Sequence, residues 1–294
     1  MMICKRLLPV IWCVIILVGI VLSANAQKAI KHPHSKKEWS KDYKPFRIAG
    51  NLYYVGTYDL AAYLITTPQG HILVNTGLDD SESLIRMHVT SLGFKFNDIK
   101  ILLATHVHFD HVGAMAAIKK QTGAAMMINE KDAVALADGG DSDYILGGKG
   151  ATFVPVKADR LLHDRDTIKL GDMNVVMLHH PGHTPGSSSF LFDVKDAQRT
   201  YSVLIANMPS ILDETNLAGM PGYADVGKDY GYTLKSMKAL KFDLWLSSHA
   251  SQFSLHEKHK PGDHYNPEAF NDRAGYDAAL NVLEKVYLER LGSK

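Results

Sequence analysis

The chain has 294 residues, 46% of them hydrophobic and 21% charged, with a formal net charge of +1. That is length for one sizeable domain or two small halves, and a near-even charge balance without basic or acidic runs excludes a nucleic-acid-binding surface and a charged partner-binding tail. No low-complexity tract, long linker or short-period repeat is visible.

The first element is a segment to set aside. Lys5 and Arg6 precede an apolar run from Leu7 to Leu22, and Ala24-Asn25-Ala26 forms an A-x-A site before Gln27. Residues 1–26 read as a cleavable signal peptide, with export to the periplasm and no stable membrane association afterwards. Both cysteines, Cys4 and Cys13, fall in that segment, so the chain from Gln27 onward has neither a disulfide nor a thiolate ligand. Without Lys5 and Arg6, 30 basic residues face 31 acidic ones.

Short β runs follow at Phe46–Ile48, Leu52–Val55, Ala61–Thr66 and His71–Asn75, punctuated by Gly50-Asn51 and Pro68-Gln69-Gly70. Residues 81–92 read as a helix stopped by Gly93, and Ile101–Ala104 as a buried strand. The pattern then alternates: a helix over 113–122, a strand over 124–128, and a helix over 130–137. Further β segments are expected around 161–170, 174–178, 187–192 and 203–206. A helix is expected over 233–240, then a strand ending at His249, and an amphipathic helix over 267–291 with Phe270, Tyr276, Leu280, Leu283, Tyr287 and Leu291 on its core face. This alternation indicates an α/β protein with two sheets between helix layers.

The strand 101–104 leads into His106-Val107-His108-Phe109-Asp110-His111. With 15 histidines in 294 residues, three His and an Asp within six positions are a poor accident. On an extended loop, side chains two apart share a direction, so His106 and His108 can reach one metal ion while Asp110 and His111 turn toward a second. Imidazole and carboxylate donors together suit zinc. His183, in His179-His180-Pro181-Gly182-His183-Thr184-Pro185-Gly186-Ser187, and His249, closing Asp243–His249, also stand at strand ends.

With Thr105–His111, Gly182–Ser187 and His249, the chain resembles the metallo-β-lactamase superfamily over nearly all of its length beyond the leader. The resemblance implies an αβ/βα four-layer sandwich. It assigns His106, His108 and His183 to one zinc, and Asp110, His111 and His249 to another, two Zn2+ per chain. Thioesterase and nuclease members carry a bridging Asp after a later strand, where this chain has Asn207 and Met208. Members with a Cys ligand are excluded because the exported chain has none. The remaining arrangement is that of subclass B3, and Met208 matches its GOB-type branch. That branch often replaces the first motif His with Gln, whereas His106 is intact here.

Two further stretches carry the B3 likeness: the loop Gly139–Gly148 and the segment Pro221-Gly222-Tyr223. Asn75-Thr76-Gly77 replaces the common Asp-Thr-Gly and keeps a carbonyl that can accept from a ligand's N–H. The implied activity is hydrolysis of the amide bond in penicillins, cephalosporins and carbapenems, conferring antibiotic resistance. Asp110 is the catalytic side chain, orienting the attacking hydroxide and passing a proton to the lactam nitrogen. Ser210, with Asn207, is the candidate partner of the substrate carboxylate, and Tyr144, Ile145, Leu146 and Phe153 are candidates for an apolar flap. A monomer is expected. The alternatives are a lactonase or thioesterase on the same scaffold, or an exported zinc-binding protein without turnover. His71, His163, His256 and His259 read as structural or surface residues, and His179 and His180 fall outside the ligand spacing.

Overall fold

A computed structural model describes residues 35–292 of the chain; the leader expected over residues 1–26, with its two cysteines, lies outside them. Among the described residues no helix is long and apolar enough to cross a membrane.

Seven strands form the first sheet in sequence order: β1 (Phe46–Ala49), β2 (Leu52–Tyr54), β3 (Tyr63–Thr67), β4 (Gly70–Val74), β5 (Ile99–Leu103), β6 (Ala125–Asn129) and β7 (Arg160–Leu162). β1 to β4 form an antiparallel meander, and β4 to β7 run parallel. The change follows from the connections. The two-residue turns from β1 to β2 and from β3 to β4 can only reverse the chain, whereas α1 (Glu82–Ser91) and α3 (Met115–Thr122) carry it back for a parallel partner. The second sheet has the order β12-β11-β10-β9-β8, built from β8 (Thr167–Leu170), β9 (Met173–His179), β10 (Ser188–Lys195), β11 (Thr200–Ala206) and β12 (Leu244–Ser247). Only β11 and β12 are parallel there, joined through α5 (Val226–Lys238). The segment 161–170, expected as one β region, is two strands in different sheets: here the chain crosses from the first half to the second.

Strand alternation decides which residues face which layer. Ile72, Val74, Ile101 and Leu103 point into the core between the sheets, where they meet Val175, Met177, Phe190, Phe192, Val203 and Ile205. Their neighbours Leu73, Leu102, Met126 and Ile128 point the other way, onto Ile85 and Val89 of α1 and Met115 and Ile118 of α3. Leu234 and Met237 of α5, with Tyr276 and Leu280 of α7 (Arg273–Gly292), cover the outer side of the second sheet. The layers are therefore helix, sheet, sheet, helix, the expected αβ/βα sandwich.

Three helix expectations need correction. Asp110 and His111 are not on an extended loop but in a short helix, α2 (Phe109–Val112), whose first turn closes when His111 and Val112 donate backbone N–H to His108 O at 2.9 and 3.1 Å. α5 starts seven residues before the expected 233. Gly227 and Gly231 look like breakers, but a Cβ at either would lie 2.1 Å from Leu217 O or 2.6 Å from Tyr287 Oη, so they permit close packing inside the helix. The expected helix 267–291 is a 3-10 turn (Pro267–Phe270) followed by α7; Asn271 leaves helical geometry, and Asp272 Oδ1 restarts it by accepting Gly275 N–H at 2.8 Å.

One buried carboxylate binds the two halves near the ends of β5 and β9. Asp132, in the turn before α4 (Ala133–Asp138), accepts Val107 N–H at 3.1 Å and the Thr184 hydroxyl at 2.8 Å on Oδ2, and Gly186 N–H at 2.7 Å on Oδ1. It thus holds the loop after β5 against the turn after β9. Asp132→Ala would leave the buried Val107 and Gly186 N–H groups unpaired, at about 1–3 kcal/mol each, and the Thr184 hydroxyl with only Ser187 Oγ. The expected result is a urea midpoint lowered by an amount equivalent to several kcal/mol in the metal-free protein; an unchanged midpoint would contradict the role.

Candidate metal centre

Thr105, directly after β5, is the junction from which the site is built. Its N–H donates to Asn75 Oδ1 at 2.9 Å, its carbonyl accepts Ser188 N–H at 2.7 Å, and its hydroxyl accepts from Ser248 Oγ at 2.9 Å. Ends of both sheets are thereby pinned beside His106. Asn75 does not orient a ligand ring as expected; its carbonyl holds Thr105, and it does so from a left-handed backbone conformation (φ 61°) that Asn tolerates better than most residues.

The rings expected as ligands converge. His106 lies with its centroid 4.8 Å from His108, 4.6 Å from His183 and 4.3 Å from His111, and His111 is 5.0 Å from His249. The donor atoms of His106, His108 and His183 fall within 4.8 Å of one another, and those of His106, Asp110 and His111 do the same. His249 joins through the carboxylate, its Nε2 3.4 Å from Asp110 Oδ2. The helical turn of α2 is what swings Asp110 and His111 away from His108 and toward His249. His106 stands between the two groups, a position that strand alternation alone did not reveal.

Four of the five rings are held from behind by one nitrogen, leaving the other for the cavity. His183 Nδ1 donates to Ser210 O at 2.8 Å. His249 Nδ1 meets Asp59 Oδ2 at 3.2 Å, His108 Nε2 meets Asp143 Oδ2 at 3.3 Å, and His106 Nδ1 lies 3.3 Å from Thr105 Oγ1. His111 is buried with neither ring nitrogen in a hydrogen bond, although Nε2 approaches Asp110 Oδ2 at 3.3 Å. Buried imidazole nitrogens without partners, facing a carboxylate, are the donor set of a zinc site with outer-sphere support. The residues fit the metal.

Electrostatics agree. Burial, reinforced by the surrounding imidazoles, holds His106 well below the ordinary imidazole range and His183 down at about 3, so both are in the neutral form that a metal needs. Burial opposes ionisation of Asp110, but the adjoining His111 and His249 outweigh it and keep the carboxylate charged. For His249 the same contest goes the other way: burial lowers it, while Asp110 and Asp59 lift it to about 9.

Asp59, Asp132 and Asp143 were not among the sequence candidates. Asp59 and Asp143 stand in turns far along the chain from the histidines they meet, His249 and His108, and Asp132 holds the residues beside the candidate ligands rather than a ligand itself. Asp59 also takes Trp39 Nε1–H at 3.1 Å and Ser251 N–H at 3.0 Å, fixing the N-terminal segment over the site.

A cavity of about 440 Å³ opens over the cluster, walled by Trp39, Phe109, Leu146, Met208 and Leu212 on its apolar side. Asn207 and Ser210 line it as expected, and Asn207 Nδ2 is buried without a partner. The expected flap is corrected. Leu146 alone of the four residues forms the wall; the Tyr144 hydroxyl turns inward to the carbonyls of Gly182 (3.2 Å) and His183 (3.3 Å), Ile145 does not line the cavity, and Phe153 is buried in the core below α4. His179 and His180 stay outside the cluster, pairing with Pro185 O and Ser189 Oγ.

Comparison with known proteins agrees with this geometry. The metallo-beta-lactamase superfamily profile matches residues 57–197. A solved beta-lactamase from Chitinophaga pinensis is 68% identical, covering 89% of this chain and 98% of that one, with a TM-score of 0.88. The class B3 di-zinc metallo-beta-lactamase LRA-12 from an Alaskan soil metagenome is 61% identical, covering 90% and 100% (TM-score 0.87). The metallo-beta-lactamase GOB-18 from Elizabethkingia meningoseptica is 50% identical, covering 92% and 100% (TM-score 0.90). The chain spans about half the length of the curated relatives it matches, which are less similar metallo-hydrolases. By its fold, its ligand cluster and these relatives, the chain belongs to the metallo-β-lactamase superfamily and, within it, to subclass B3.

Proposed function

We propose that this chain is a zinc-dependent β-lactamase that hydrolyses the amide bond of penicillins, cephalosporins and carbapenems, conferring resistance, and that it binds two Zn2+. The observation that carries the reading is the pair of donor groups sharing one cavity floor, with Asn207 and Met208 in its wall where a bridging carboxylate would favour a thioesterase. His106, His108 and His183 are the ligands proposed for one ion; Asp110, His111 and His249 are those for the other. Zinc, when bound, supplies Lewis acidity, polarising the scissile carbonyl and making water acidic enough to attack near neutral pH.

The chain's own groups do the rest. Asp110, its Oδ2 between His111 and His249, orients the attacking water, takes its proton and delivers it to the lactam nitrogen as the C–N bond breaks. The Ser210 hydroxyl, at the cavity edge 3.3 Å from His183 Nδ1, donates to the substrate carboxylate, and the unpaired Asn207 Nδ2 is a second donor. Ser210 has a further task in its backbone, where its carbonyl fixes His183. Trp39, Phe109, Leu146 and Leu212 exclude water from the fused rings. Cleavage after Ala26 and action in the periplasm as a monomer complete the proposal.

The first test is hydrolysis of a penicillin, a cephalosporin and a carbapenem by the chain from Gln27 onward, with metal content measured in parallel. Turnover should vanish with a chelator, return with zinc, and accompany two ions per chain. Inactivity on all three with both ions bound would instead direct attention to lactones and thioesters. Asp110→Ala should lower kcat by roughly 10²–10⁴-fold; full activity with full zinc content would remove Asp110 from the mechanism. Ser210→Ala keeps the carbonyl that holds His183, so it should raise KM about tenfold, the worth of one hydrogen bond to a charged group, with little change in kcat. An equal fall in kcat at constant KM would contradict that division.

A further inference from the structure

The loop over residues 139–150 is tied to His108 of the metal cluster through a buried carboxylate. Asp143 has its side chain only 4% exposed, and its two oxygens serve different masters. Oδ1 accepts the N–H groups of Ile145 (2.9 Å) and Leu146 (2.7 Å), and so shapes the tip that puts Leu146 into the cavity wall. Oδ2 meets His108 Nε2 at 3.3 Å. The rest of the loop is closed locally: Gly148 N–H donates to Asp141 O at 2.8 Å, and Gly150 N–H to Asp141 Oδ1 at 2.7 Å. A second anchor is the Tyr144 hydroxyl on the carbonyls of Gly182 and His183.

We propose that Asp143 is a positioning residue that couples metal occupancy at His108 to the order of the loop walling the substrate cavity. The proposal rests on the zinc-site reading above. With Nε2 turned to Asp143, His108 carries its proton there and leaves Nδ1 as the donor for the ion. A metal on one ring nitrogen withdraws charge and makes the opposite N–H a stronger donor, so zinc tightens the bond to Oδ2 and with it the carboxylate that organises Ile145 and Leu146. Linkage is reciprocal: an ordered loop must raise zinc affinity by the factor that zinc raises loop order. Only a carboxylate can do this. An amide has one oxygen, which can accept from the loop or from His108 but not from both.

The test is amide hydrogen exchange at Ile145 and Leu146 in the full exported chain, with and without zinc, for the wild type and Asp143→Asn. In the wild type zinc should slow exchange at these two amides roughly tenfold, about the effect of one charge-assisted hydrogen bond. In D143N that response should disappear, and zinc affinity measured against a chromophoric chelator should fall by about 10–100-fold when the amide nitrogen faces His108. A wild-type loop indifferent to zinc, or a D143N loop that still responds, would overturn the coupling. A measurement on the wild type alone stays decisive if D143N does not fold: ¹⁵N shifts of zinc-loaded protein should place the His108 proton on Nε2, and a proton on Nδ1 would refute it. Hydrolysis of a cephalosporin, followed alongside, separates the two readings. A loop that orders with zinc in a protein without turnover sinks the proposed function and leaves the coupling; turnover with an indifferent loop does the reverse.

Discussion

Five imidazoles and a carboxylate gathered in one cavity at the junction of two sheets impose the constraint to which the rest of the structure answers. Left to itself, such a cluster would swell with water, or its rings would rotate to pair with the nearest carbonyl. Four of the rings are prevented from doing so by a partner on the far side: Thr105 behind His106, Asp143 behind His108, Ser210 behind His183, and Asp59 behind His249. His111 has no such partner behind it: Nδ1 is buried without one, and Nε2 faces only Asp110 Oδ2 of the cluster, at 3.3 Å. The arrangement costs desolvation energy that the folded chain must offset elsewhere, and zinc coordination is the natural compensation.

The layered fold explains how so many candidate ligands reach one place. Each comes from the segment after a strand: His106 and His108 after β5, His183 after β9, His249 after β12, with Asn207 and Ser210 after β11. Strands buried between apolar layers give these segments fixed starting points, and Thr105 and Asp132 then knit the first half of the chain to the second across the gap. The glycines fit the same purpose. Gly186 must lack a side chain because a Cβ there would lie 2.5 Å from the Asp132 carboxyl carbon, so the turn bearing His183 can press directly onto that anchor.

The substrate side of the cavity is made from pieces with less internal support. Trp39 comes from the N-terminal segment, Leu146 from the loop after α4, and Leu212 from the stretch after β11. Each is steadied by a polar tie to a residue that also holds a ligand: Trp39 through Asp59, Leu146 through Asp143, and the stretch after β11 through Ser210. Ligand geometry and cavity shape therefore share the same carboxylates and carbonyls, so disturbance of one is felt by the other.

The amino-acid sequence by itself determined the strand-helix alternation, the candidate ligands and the absence of a carboxylate at Asn207 and Met208. These are local matters: hydrophobic period sets which face is buried, and His-x-His after a buried strand has few other uses. The tertiary structure alone decided the remainder. That Asp110 and His111 sit on a helical turn, that His106 stands between the two groups, and that Tyr144 faces the His183 turn rather than the cavity all depend on backbone direction over a few residues, which residue type constrains weakly. Asp59, Asp132 and Asp143 were silent because a lone aspartate in a turn looks like any solvated one until folding brings its partner to it: His249 lies 190 positions from Asp59, and His108 lies 35 from Asp143. A hydrogen bond is specific in space and carries no signature along the chain.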